Sequence, residues 1–407
     1  MLTSNFQYGL EVALCLLLLF VFTLRFKVRP HASTLINVPV AKVWALLAPY
    51  DGKIDQWGNM QIVTTLISDE TKSYAIQYAT TQSNGTVRKF FAQFTLAQVE
   101  DNRLLLMKRD GLEGKSLNNE LLEIRHEFEA LGEATKLRTT YVWGPRPFLA
   151  QLLARTDLWG GIYRIKGLAE TGKANNRPYW IINGLVALVT ALMSVVAFGL
   201  LLGWPLALIL VFALLVHEFG HLLAFRLIGQ PWGRVVFLPF LGAVAVPRLP
   251  YETQAQSVFA ALMGPGFSVL LAAACTLPTF LGWPSAKIFV AVGVLTAVLN
   301  AFNMLPAEPL DGGVALRSIL TRLVGKGAWS AMLSIGLLMI AIGIAIGQLA
   351  VAVFGVMAVL ANLRRRSIDA GLLPLTSLQV CVAVLGYVAI TSAHITMMNW
   401  FIRQLGV

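Results

Sequence analysis

Charge is scarce in this chain. Asp, Glu, Lys and Arg make up 13% of its 407 residues, against 57% hydrophobic. That balance excludes an ordinary water-soluble globule and is expected of a polytopic membrane protein. Cysteine is scarcer: Cys15, Cys275 and Cys381 all lie in apolar segments at spacings that no metal site uses. The stretch from Arg25 to Arg177 has none, which suits a reducing compartment. No basic stripe with interleaved aromatics occurs, so the formal charge of +11 is not a nucleic-acid signature. The bases stand instead at the ends of apolar runs, where they orient a membrane protein.

The first apolar run, residues 8–24, is broken by Glu11 and followed by Arg25, Lys27 and Arg29. A secretory signal has the opposite polarity and a small-residue cleavage site. The run therefore reads as an uncleaved anchor that leaves the next segment of the chain in the cytoplasm. After Lys173 and Arg177 come further apolar runs, at 179–202, 205–228, 255–282, 286–305, 328–346, 348–363 and 377–401. With the anchor this makes about eight membrane helices. Alternating sides from a cytoplasmic start gathers Arg226, Arg234, Arg248, Arg317, Arg322, Lys326 and Arg364–Arg366 inside, and leaves Lys287 and Arg403 outside.

Between anchor and membrane domain, from about 30 to 172, the character changes. Alternating stretches such as Tyr74–Ala79, Phe90–Leu96 and Leu137–Trp143 predict half-buried antiparallel strands. Pro39 opens a short helix that turns Val43, Trp44 and Leu47 inward, and a longer amphipathic helix, about Pro147 to Leu168, closes the segment. Strand, short helix, run of strands and final long helix, with the opening Ile36-Asn-Val-Pro39 followed by Val43-Trp44, resemble the helix-grip fold of the START-like and polyketide-cyclase-like superfamily. The resemblance implies a soluble α+β domain, with either an apolar ligand cavity or a filled core under the long helix. The boundaries are then 1–29 for the anchor, 30–172 for this domain, 173–366 for a membrane core and 367–407 for a last transmembrane helix.

Within the run that starts at Pro205 stands His217-Glu218-Phe219-Gly220-His221. Two histidines four apart on a helix lie ~40° from each other and project from one face. Beside a glutamate, that is the zinc-hydrolase arrangement, with the carboxylate as general base. Ionisable groups are rare inside membrane helices and mark function there. His126-Glu127-Phe128-Glu129-Ala130 begins the same way but lacks the second histidine and reads as a strand. From Pro205 to His217 is twelve residues, or ~18 Å, which sets the site in the cytoplasmic half of a core ~30 Å thick.

Catalytic zinc takes three protein ligands. His31 lies in the soluble part, and His394, in the last span toward the outer side, reads as a packing or interfacial residue. The better candidate is Asp311 in Asn303-Met-Leu-Pro306-Ala-Glu-Pro-Leu-Asp311-Gly-Gly313, where prolines break a membrane helix. Broken backbone at that depth is tolerated where it lines a cavity or is buried in protein. A plain helix N-cap is the alternative role for that aspartate.

His-Glu-x-x-His on one membrane helix and Asn-x-x-Pro-x-x-x-x-Asp-Gly on a later one resemble the site-2 proteases, intramembrane zinc metalloproteases, over residues 179–366. The resemblance implies one Zn²⁺ held by His217, His221 and Asp311, with Glu218 as base and Asn303, in its Asn-x-x-Pro306 setting, holding the substrate backbone. Residues 235–247 look like the family's re-entrant β-hairpin, with Val235, Val236, Phe237 and Leu238 receiving the substrate as an added strand. Ser268 stands where many members have asparagine. No inserted stretch resembles a PDZ or paired-CBS domain, which leaves the START-like domain in a regulatory place.

The expectation is a multi-pass protein of a bacterial inner membrane, with the START-like domain cytoplasmic and a membrane-anchored protein or peptide as substrate. The bilayer itself and an apolar ligand of that domain are its other partners, and nucleic acid is not one. A non-haem iron site shares the two-His, one-carboxylate pattern, but the adjacent glutamate favours hydrolysis. The different-class alternative is a non-catalytic lipid-binding membrane protein with a structural metal.

Overall fold

The computed structural model describes residues 25–57, 60–81, 87–109, 121–283, 286–364 and 372–406, with Ala13, Leu17 and Gly85. Most of the expected anchor lies outside the described residues. The chain divides into two compact units, Leu24–Leu185, and Val186–Val407 with Met1–Thr23.

The first unit is built on one antiparallel sheet. Its strands are β1 (Arg25–Val28), β2 (His31–Ile36), β3 (Ile54–Trp57), β4 (Met60–Ser68), β5 (Ser73–Thr81), β6 (Val87–Glu100), β7 (Leu104–Arg109), β8 (Leu121–Leu131) and β9 (Ala134–Pro147). They run in the order β1-β9-β8-β7-β6-β5-β4-β3, and the long β9 also takes β2 on the edge it offers β1. The three alternating stretches fall inside β5, β6 and β9.

Two helices complete the unit, α1 (Val40–Leu47) and α2 (Phe148–Thr171). Leu158, Ile162, Ile165 and Ala169 repeat at three- and four-residue intervals and so share one face of α2. That face packs on Phe94, Leu105, Phe128 and Leu137 of the sheet and on Val43 of α1. Trp44 stands edge-on to Phe128 at 5.3 Å. A long helix held against an antiparallel sheet is the helix-grip arrangement.

Two buried basic residues in this unit have structural roles. Lys53 donates to the carbonyls of Ala45, Leu46 and Ala48 at 2.8–2.9 Å, closing the open end of α1; burial lowers its pKa. His126, of the incomplete His-Glu pattern, lies on β8 with Nδ1 2.9 Å from Thr139 Oγ1. Burial pushes its imidazole down to about 4, so it stays neutral.

The second unit is helical. Its elements begin with α3 (Arg177–Leu202), whose first turns belong to the first unit, and α4 (Trp204–Leu227). The hairpin β10 (Arg234–Leu238) and β11 (Gly242–Val246) follows. Then come α5 (Gln254–Phe280), α6 (Ala286–Asn303), α7 (Asp311–Val324), α8 (Gly327–Ala345), α9 (Leu349–Arg364) and α10 (Ser377–Gln404).

Among the described residues six helices are long and apolar enough to cross a bilayer: α3, α4, α5, α6, α8 and α10. The run expected at 348–363 forms α9, whose 16 residues extend ~24 Å at 1.5 Å each. That is short of a ~30 Å hydrocarbon core. The protein is a polytopic helical membrane protein joined to an antiparallel α+β unit.

Candidate metal centre

The site is assembled on α4, α5, α6 and the start of α7. Pro205 in the first turn of α4 and Gly203 before it, at φ 83°, set the entry into that helix. Twelve residues on, His217, Glu218 and His221 are all buried. Helix geometry alone puts both imidazoles on one side. Their rings stand 4.7 Å apart at 78°, with the two Nε2 atoms 3.0 Å from each other.

The other ring nitrogens explain that closeness. His221 Nδ1 lies 2.7 Å from the carbonyl of Ala260 on α5, and His217 Nδ1 lies 2.7 Å from Asn300 Oδ1 on α6. Asn300 is oriented by its own Nδ2, which donates to the Thr296 carbonyl at 2.8 Å. Both Nδ1 atoms therefore face pure acceptors and carry the protons. Both Nε2 lone pairs are left pointing at each other.

Asp311 closes the triangle. Its Oδ2 is 3.2 Å from His217 Nε2 and 3.4 Å from His221 Nε2. The N-cap of α7 is Leu310, and Asp311 is the first helical residue, so its carboxylate serves the cluster rather than the helix end. Three acceptor atoms converge with no proton among them, an arrangement that a bound cation relieves. Ligand bonds of roughly 2.0–2.2 Å in a tetrahedral zinc site separate donor atoms by about 3.3 Å. The observed 3.0, 3.2 and 3.4 Å bracket that value, so the residues present fit zinc. Among the described residues this is the one group of three or more metal-ligating side chains found.

Close backbone approach makes the convergence possible. A methyl on Gly264 of α5 would overlap Nε2 of His221, and one on Gly220 would overlap the Met263 carbonyl. Methyls on Gly312 and Gly313 would overlap the backbone of Met304 and Ala307 in the turn before α7. Gly264→Ala is accordingly expected to lose metal although alanine is the better helix former by ~0.5–1 kcal/mol. Gly266→Ala, whose new methyl meets a flexible Ile390 side chain at 3.3 Å, serves as the control. Metal content of the two purified variants checks this, and equal retention would refute the steric argument.

Glu218 accepts a hydrogen bond from the backbone N–H of Ala245 on β11, while its Oε2 is buried with no partner among the described residues. Asn303 Nδ2 lies 3.4 Å from His217 Nε2 and borders the site. Pro306 sits half-buried in the turn between α6 and α7. Ser268 turns its hydroxyl back to the Gly264 carbonyl at 3.1 Å. His394 is fully buried, with Nε2 2.9 Å from the Pro265 carbonyl; the expected packing role is what this geometry provides.

The hairpin is seated on α3 and α4. Val236 and Phe237 are buried, and Phe237 packs among Phe198, Val211 and Leu214. Phe237 N–H donates to Thr190 Oγ1 of α3 at 3.2 Å. Since Val235 pairs with Ala245 and Phe237 with Ala243, antiparallel alternation turns the N–H and C=O groups of these four residues away from the ladder. The outer edge of β10 thus meets α3, while that of β11 meets Glu218. Asn300, Ala245 and Thr190 were not legible in the sequence; the placing of Asn300 three residues before Asn303 on an apolar helix was the one available signal.

A buried cluster of two histidines and one aspartate with an adjoining glutamate, its histidines on a helix of bilayer length, is a metal-binding arrangement of the kind zinc hydrolases use. No protein-family model matches the chain. It is 27% identical over 129 residues to a zinc metalloprotease of Methanocaldococcus jannaschii, covering 30% of this chain and 36% of that protein. It is 30% identical over 129 residues to a Synechocystis protein whose curated name assigns it provisionally to the zinc metalloproteases, covering 31% and 34%. The chain thus spans about a third of the length of the curated relatives it matches. A solved site-2 protease of Methanocaldococcus jannaschii aligns at 20% identity with a TM-score of 0.30, over 45% of this chain and 87% of that one. The resemblance to site-2 proteases carried by the two motifs is borne out by relatives that bear the zinc metalloprotease name.

Proposed function

We propose that this protein is an intramembrane zinc endopeptidase that hydrolyses peptide bonds within or beside transmembrane segments of membrane-anchored substrates. The observation that carries the reading is the convergence of His217, His221 and Asp311 with Glu218 alongside, all in helices of bilayer length or at their broken ends. His217, His221 and Asp311 would hold one zinc ion, which would supply Lewis-acid polarisation of the scissile carbonyl and lower the pKa of a bound water. Glu218, whose Oε2 has no partner among the described residues, is the residue placed to hold a proton taken from the attacking water and to pass it to the leaving amine. The Ala245 N–H holds the other side of the carboxyl in place.

A transmembrane helix hides its peptide bonds in i→i−4 hydrogen bonds, so the substrate must unwind before cleavage. The β11 edge faces Glu218, which engages the Ala245 N–H, and its remaining outward groups, those of Ala243 among them, offer backbone partners to an unwound strand. The β10 edge is met by α3 instead. Val235, Val236, Phe237 and Leu238 therefore support the hairpin from behind, and Asn303 grips the substrate backbone at the metal.

The START-like unit acts on access rather than chemistry. It sits on the cytoplasmic side of a bacterial inner membrane, as the distribution of bases implies, and the link from α2 to α3 is short, residues 172–176. Release of a membrane-tethered regulator and clearance of leftover signal peptides are both served by this chemistry.

The test is cleavage of a membrane-anchored substrate in detergent by the zinc-loaded protein and by a deletion of residues 31–172. The intact protein is expected to cut the peptide bond within the spanning segment. The deletion is expected to cut a short substrate at a similar rate and to accept longer cytoplasmic extensions. Absence of cleavage by the intact, zinc-loaded protein would overturn the activity. A folded, zinc-loaded deletion that no longer cuts the short substrate would overturn the access role alone.

A further inference from the structure

An ion pair lies behind the metal centre, in the segment that delivers Asp311. Glu308, three residues before Asp311, is 2% exposed, and Arg317, six residues after it on α7, is 8% exposed. Arg317 Nη1 stands 3.4 Å from Glu308 Oε2 and donates to Asn362 Oδ1 of α9 at 3.1 Å. Asn362 is locked in turn, its Nδ2 donating to the Trp329 carbonyl at 2.8 Å while Trp329 Nε1 donates to the Asn362 carbonyl at 3.2 Å. The chain of contacts runs from the turn before α7, through α7, to the paired helices α8 and α9.

A buried ion pair is a weak device for stability, because an apolar pair of similar shape does as well or better once desolvation is counted. In a membrane protein such charges call for another account. The place of this pair supplies one. The turn from Met304 to Leu310 is gripped at its first half by Tyr387, whose hydroxyl donates to the Met304 carbonyl at 2.7 Å, and by the close approach of Gly312 and Gly313. Its second half holds Glu308, and Asp311 follows directly. Six residues along a helix is ~240° of rotation and ~9 Å of rise, so Arg317 projects from a different side of α7 than Asp311 and holds the turn from behind.

We infer that Arg317 is a positioning residue for the metal centre: its ion pair with Glu308 fixes the turn that presents Asp311 to the two histidines. The pair also keeps the Glu308 carboxylate engaged three residues from a site that attracts carboxylates. The inference rests on the metal-site reading above.

The experiment uses the full chain in detergent, loaded with Zn²⁺ or with Co²⁺ as a spectroscopic probe. Supporting contacts around metal ligands are worth about 10–100-fold in metal affinity. Arg317→Met and the nearly isosteric Glu308→Gln are each expected to speed metal loss to a chelator by about tenfold or more and to alter the visible Co²⁺ spectrum. Arg317→Lys, which keeps the charge, is expected to restore most of the retention. Val290→Ala, in a separate core cluster with Phe401, is the control: it lowers thermal stability and leaves metal release unchanged.

Wild-type release rates and Co²⁺ spectra in both Arg317→Met and Glu308→Gln would overturn the positioning role, as would equal acceleration by Val290→Ala. Should Arg317→Met fail to fold, Glu308→Gln decides alone. A wild-type chain that binds neither Zn²⁺ nor Co²⁺ would instead overturn the metal site itself.

Discussion

Replacing Glu218 with glutamine is expected to leave zinc bound and to slow peptide hydrolysis by about 10²–10⁴-fold, the usual contribution of a general base. The substitution keeps the shape of the side chain. Glutamine can still accept from the Ala245 N–H, so the packing between α4 and β11 is retained. The three converging ligand atoms belong to other residues, and metal content should not change. The substitution removes the carboxylate oxygen that is buried without a partner among the described residues and free to take a proton. Cleavage of a membrane-anchored substrate, measured beside metal content, checks both halves. A metal-loaded glutamine variant that cuts at near wild-type rate would require another base.

The second large effect is on the metal itself. Asp311→Ala should remove one of three ligands and release zinc, whereas His394→Ala should keep it. Removing a supporting contact around a ligand already costs about 10–100-fold in affinity, and removal of a ligand exceeds that. Asp311 Oδ2 is within 3.4 Å of both histidine Nε2 atoms, and nothing in the cluster replaces it. His394 instead packs between α10 and α5, with its polar contact to the Pro265 carbonyl. Its loss should appear as a stability deficit of roughly 1–3 kcal/mol from an unsatisfied buried group. Zinc retained by the Asp311 variant would send the search for the third ligand elsewhere, and zinc lost from the His394 variant would give that residue a part in the site.

The elements that repeat along the chain are legible in the order of residues alone. Strands at 74–79, 90–96 and 137–143 emerge from alternation, and α4 emerges from its apolar length. The common face of His217 and His221 follows from helical rotation. Pairings set by the fold are not legible in that way. His217 meets Asn300 across 83 residues, and His221 meets the Ala260 carbonyl across 39. Neither backbone carbonyls nor side-chain amides announce such a partner. Phe237 is buried among Phe198, Val211 and Leu214, because the seat of the hairpin, rather than its composition, decides which face is covered.

The sequence by itself thus determined the class of protein, the metal-ligating residue types and their order. These depend on local periodicity and on the cost of placing ionisable groups in an apolar span. Only the tertiary structure decided that both histidines turn their Nε2 lone pairs toward Asp311 and that β11 rather than β10 faces Glu218. It alone decided that Arg317 reaches Glu308 behind the ligand turn. Each of these is a contact between groups brought together by packing, and its geometry is set by close helix approach at Gly220, Gly264 and Gly312, which no spacing along the chain records.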